Sequence, residues 1–120
     1  MTYSEDDMVD DVLNILAMTG YEVYRQGSLA GNETYPDSFF TFWEVGSPDH
    51  AHYDNRRYGT EWAYEVNFYS TDPDLTYSVL EEVIVAFESA GWTVPSRGND
   101  VRSDEPTHTG RGVNIYFLEV

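Results

Sequence analysis

The run Phe39-Phe40-Thr41-Phe42-Trp43-Glu44-Val45 places bulky rings on both sides of an extended chain. Successive strand residues point to opposite faces, so Phe39 and Trp43 look one way while Phe40 and Phe42 look the other. A second run, 113–119, repeats the pattern: Ile115 and Phe117 face one side, Tyr116 and Leu118 the other. A sheet built from such strands is apolar on both faces, and each face calls for cover.

Two helices are available to supply it. Residues 5–19 read as an amphipathic helix with Ser4 as N-cap and Glu5, Asp6 and Asp7 at the positive end of its dipole. Met8, Val9, Val12, Leu13, Ile15, Leu16 and Ala17 fall on one arc, Asp10, Asp11 and Asn14 on the other, and Gly20 supplies a stop. A second helix starts at Asp72-Pro73-Asp74, with an N-cap, a proline suited to the first turn and a favourable charge. Leu75, Val79, Val83, Phe87 and Ala90 form its ridge beside Leu80 and Ile84, and Gly91 ends it. Val85 alone falls among Glu81, Glu82 and Glu88, which makes it a candidate subunit-contact residue.

Strands are predicted at 21–25, 39–45, 60–70 and 113–119, with a short one around 101–103. The order α-β-β-β-α-β(-β) predicts an α+β fold: a mostly antiparallel or mixed sheet of four to five strands with two helices, in one domain spanning 1–120. If both helices pack on one face, the other becomes an association surface, because monomers rarely expose large apolar patches.

Composition narrows the function. The 120 residues include 22 carboxylates, six arginines, no lysine and no cysteine, for a formal net charge of -16. Without cysteine there are no disulfides, thiolate metal sites or cysteine nucleophiles; without lysine there is no Walker lysine and no Schiff base. The acidic N-terminus is unlike a signal peptide and no apolar run approaches 18 residues, so a soluble, intracellular protein without membrane contact is expected. Phosphate backbones are repelled by such a surface, which disfavours conventional nucleic-acid binding.

Between the second and third strands lies a polar stretch, 46–59, too long for a hairpin turn. Within it, Asp49, His50, His52 and Asp54 form the most metal-like cluster, but two histidines at i, i+2 share a direction only in a strand and no third or fourth ligand is fixed. Arg56 and Arg57, flanked by Tyr53 and Tyr58, hold two of the six positive charges. Local ion pairs or charge-assisted contacts between chains both suit them, and Tyr53, Arg56, Arg57 and Tyr58 join Val85 as candidate subunit-contact residues. Gly110-Arg111-Gly112 reads as a flexible turn rather than a dinucleotide fingerprint. His108 has acidic and hydroxyl neighbours but no nucleophile elbow. No catalytic constellation and no cofactor site stands out.

The element order, the run 39–45, the loop ending Tyr53-Asp54-Asn55, the strand Trp62-Ala-Tyr-Glu-Val-Asn-Phe-Tyr69 and the segment Ser103-Asp-Glu-Pro-Thr-His-Thr-Gly-Arg-Gly-Val113 together resemble the tail terminator, or head–tail joining, proteins of long-tailed bacteriophages and prophages. The resemblance implies a structural, non-enzymatic subunit of a hexameric ring without a cofactor. That ring caps the tail tube protein, meets the head connector and lets DNA pass without specific binding. It belongs to the virion at the tail–head junction and is assembled in the bacterial host cytoplasm. A second class is an acidic DNA mimic that inhibits a host defence enzyme of the restriction or CRISPR type. A third is an enzyme with a metal at His50 and His52.

Six copies would carry about 96 negative charges, so a ring is expected to strengthen as salt screens them. Sedimentation across a salt series checks this; assembly confined to low salt would contradict it.

Overall fold

A computed structural model describes residues 4–25, 36–45, 60–103 and 106–119. The first helix, α1 (Glu5–Ala17), begins where the Ser4 hydroxyl accepts from the Asp7 amide while the Asp7 carboxylate accepts from the Ser4 amide. This capping box satisfies two donors that the helix itself leaves open. At the far end the Thr19 hydroxyl donates to the Leu16 carbonyl at 2.7 Å, and Gly20 turns the chain at φ 85°. The helix therefore stops two residues short of its predicted end.

Five strands follow, interrupted by one helix: β1 (Glu22–Arg25), β2 (Ser38–Glu44), β3 (Thr60–Ser70), α2 (Pro73–Ser89), β4 (Asn99–Val101) and β5 (Thr109–Glu119). They form one mixed sheet in the order β1-β2-β3-β5-β4, with β1 parallel to β2 and every other neighbour antiparallel. The α+β fold expected from the sequence is thus present. Because β3 and β4 both run against β5, they are parallel to each other, and α2 is the crossover between them. Asp72 caps α2 through its carboxylate on the Asp74 amide, with Pro73 in the first turn.

Two boundaries differ from the sequence reading. β4 lies at Asn99–Val101, not around 101–103, because Val101 pairs with Gly110 and Asn99 with Gly112. β5 begins at Thr109, so Gly110-Arg111-Gly112 is strand and not a flexible turn. The two glycines serve a close approach, described below.

Register fixes the core. Val23, Phe40, Phe42, Trp62, Tyr64, Val66, Phe68, Val113 and Ile115 share one sheet face, and they form one cluster with Met8, Val12, Leu16, Val79, Leu80, Val83, Ile84 and Phe87 of the helices. Both helices therefore cover the same face, α2 across β3 and β5, α1 beside it on β1. After α2 the chain delivers Trp92 into this layer, where its ring meets Phe87 edge-on at 5.6 Å and Phe117 at 5.3 Å.

The helical pattern set Asp11 on the solvent side. It is half-buried instead, and its carboxylate accepts the Trp92 indole N–H at 2.8 Å. A buried indole needs such an acceptor, and only one 81 residues away in sequence supplies it. Asp11→Ala is expected to lower stability by about 1–3 kcal/mol, the cost of stranding a buried donor. A urea titration measures it, and an unshifted midpoint would show that water replaces the carboxylate.

Candidate association surface

The sheet face turned away from the helices is built from the alternate residues of the same strands. Row by row, Phe39 lies beside Tyr69 and Gly110, Thr41 beside Asn67 and Gly112, Trp43 beside Glu65 and Asn114, Ala63 beside Tyr116, and Glu61 beside Leu118. At one end the rings form a continuous aromatic strip. Phe39 stacks on Tyr69 at 5.3 Å, and Tyr24 and His108 meet Phe39 edge-on at 5.9 and 5.8 Å. Phe39 is buried although no helix covers it, while Tyr24, Trp43, Tyr69 and Tyr116 are half-buried. His108 is held by the Pro36 carbonyl at 2.8 Å and by Thr107, so it serves as part of this strip.

The glycines of β5 make the strip possible. A Cβ on Gly110 would sit 2.6 Å from the Tyr69 ring and 2.8 Å from Val101; one on Gly112 would overlap the Asn67 amide. The Asn67 side chain is buried, donates to Glu65 at 3.3 Å and leans over Gly112, so it has no room to retreat. Its amide oxygen has no hydrogen-bond partner among the described residues.

At the opposite end the face becomes aliphatic and more exposed. Val45 and Leu118 are 50% and 57% exposed. Here Glu61, Thr93, Pro95, Tyr116 and Leu118 line an open groove of about 370 Å³. Thr93 is tied to Tyr116 by a reciprocal backbone pair at 2.7 and 2.9 Å, an isolated bridge that does not grow into a strand. Pro95, which has no N–H to give, lies just beyond it.

Charge is divided between the two sides. Among the described strand residues the open face carries Glu22, Glu61 and Glu65 but no arginine. The outward sides of the helices carry the exposed carboxylates Asp6, Asp7, Asp10, Asp74, Glu81, Glu82 and Glu88. Arg97 clamps Glu81 at 2.7 and 3.1 Å, and that hydrogen bond and charge hold its proton more firmly than usual. Arg111 pairs with Asp100 at 2.9 Å and lies over the Tyr77 ring.

Of the candidate contact residues, Tyr53, Arg56, Arg57 and Tyr58 lie outside the described residues, as do His50 and His52. Val85 is 55% exposed on the outward side of α2, so it is on the helical layer and not with the aromatic face. The groove residues went unrecognised in the sequence, since Thr93 and Pro95 reach β5 through a bridge that no periodicity announces. Among the described residues no group of acidic and histidine side chains is placed to hold a metal ion. No helix there is long and apolar enough to cross a membrane. Neither known protein-family models nor curated protein sequences give a match to this chain.

Gly112→Ala is expected to cost about 1–3 kcal/mol through overpacking against Asn67, where a strand glycine replaced by alanine ordinarily gains stability. Thermal melts decide the sign, and stabilisation would show that Asn67 yields.

Proposed function

We propose that the chain is a ring-forming structural subunit of the phage tail terminator type, acting through contacts between copies and not through catalysis. One observation carries this reading: both helices cover one sheet face and leave the other, with Phe39, Trp43, Tyr69, Tyr116 and Leu118, without helical cover. An apolar face of this kind is what a subunit interface conceals.

Electrostatics then selects the kind of interface. A two-fold contact would press two copies of the same acidic patch together, each bringing Glu22, Glu61 and Glu65. A head-to-tail contact sets the open face against a different surface and closes into a ring when the rotation permits. The acidic lumen of such a ring offers DNA no binding wells, which suits passage of a genome.

The exposed carboxylates of the helices favour a second reading, a DNA mimic. Their density weighs against it. On α2, Asp74, Glu81, Glu82 and Glu88 give four charges over about 21 Å of axis, where duplex DNA carries one every ~1.7 Å.

Native mass spectrometry at moderate salt is the test. The ring reading expects a closed assembly of six chains. A chain that stays monomeric at high concentration and in the presence of tail tube protein, yet forms a stoichiometric complex with a DNA-binding enzyme, would replace it with the mimic.

A further inference from the structure

We infer that the groove between Glu61, Tyr116, Leu118, Thr93 and Pro95 receives an arginine of the adjacent copy, from the Arg56-Arg57 pair; this rests on the ring reading above. The groove has the two features that such a side chain needs. Tyr116, Leu118 and Pro95 provide an apolar bed for the aliphatic stem, and Glu61, exposed at the rim, offers a carboxylate to the guanidinium. Its volume of about 370 Å³ accommodates one long side chain with a neighbour beside it.

Charge complementarity names the donor. No arginine belongs to the open face among the described strand residues, so Glu61 faces outward towards a positive charge that another surface must bring. The chain has no lysine, hence a second copy can offer only arginine. Arg97 is committed to Glu81, and Arg111 to Asp100 and Tyr77. Arg56 and Arg57 are adjacent in sequence and double the local charge.

Position agrees. Residues 46–59 leave the sheet after Val45 and re-enter it at Thr60, the end where Glu61 pairs with Leu118. A stretch of 14 residues reaches at most about 24 Å out and back, enough to cross onto a neighbour.

Charge reversal with rescue tests the contact in the full-length chain by native mass spectrometry. Glu61→Arg is expected to abolish the ring, as is replacing both Arg56 and Arg57 by glutamate. Combining Glu61→Arg with Arg56→Glu or with Arg57→Glu keeps the net charge of the wild type, and one of these pairs is expected to restore the ring. Global repulsion predicts the opposite for Glu61→Arg alone, because that change makes the chain less negative by two charges. A Glu61→Gln variant, expected to assemble about tenfold more weakly, guards against misfolding of the reversed one. If the wild type forms a ring and Glu61→Arg retains it, or neither pair rescues, the groove assignment is overturned while the ring reading stands. A wild type that never leaves the monomer overturns both.

Discussion

A strand cannot hide two apolar faces behind one layer of helices, and that constraint shapes the whole molecule. β2 and β5 alternate rings and branched side chains on both sides, yet α1 and α2 sit together over a single face. The topology leaves α2 a simple choice. It links parallel strands β3 and β4 across β5, and it brings its ridge of Val79, Leu80, Val83, Ile84 and Phe87 down onto the face shared by Trp62, Val66 and Ile115. α1 joins it there, and Trp92 with Asp11 links the two helices to the segment after α2. The uncovered side has to manage with what the strands carry. It does so partly by stacking Tyr24, Phe39, Tyr69 and His108 on one another, and partly by removing two Cβ atoms, at Gly110 and Gly112, so that Tyr69 and Asn67 lie flat against the sheet.

Self-stacking conceals Phe39 but not Leu118 or Val45 at the other end, so the apolar character of the face is graded along the strands. The gradient matters for assembly. Rings already in contact with each other lose little further surface on docking, while exposed aliphatic groups beside a groove lose more, at about 25 cal/mol per Å² removed from water. The association energy of this face therefore concentrates at the end bearing Glu61, Tyr116 and Leu118.

Most of the architecture was legible in the sequence because its signals are local and periodic. Ser4 and Asp72 as caps, the period-two pattern of 60–70 and the ridge of α2 each rest on neighbours within a few residues. The misreadings share one cause, contact at long range. Asp11 sits on the polar arc of α1, and only Trp92, remote in sequence, makes it half-buried. Gly110 and Gly112 look like turn residues until Tyr69 and Asn67 on the adjacent strand occupy the space where side chains would be. The groove depends on a bridge from Thr93 to Tyr116 that belongs to no repeating element. The exposed Val85 was legible from helical spacing, but its separation from the aromatic face depended on which face the helices chose.

The remaining question is whether a chain this acidic can pack against itself at all, and magnitudes answer it. Two bodies of charge -16 about 30 Å apart, roughly one small-domain diameter, repel by about 35 kcal/mol in unscreened water. With a Debye length near 30 Å, at about 0.01 M salt, roughly 13 kcal/mol of that survives, comparable to the whole free energy of a nanomolar complex. At about 0.15 M the Debye length falls to roughly 8 Å and the repulsion to about 1 kcal/mol. Apolar contact, which screening leaves intact, then decides. The acidity is thus no barrier to assembly in ordinary ionic strength. It acts instead over the surfaces left exposed, where it keeps phosphate backbones and other copies from adhering anywhere except at the one face that has grease to bury.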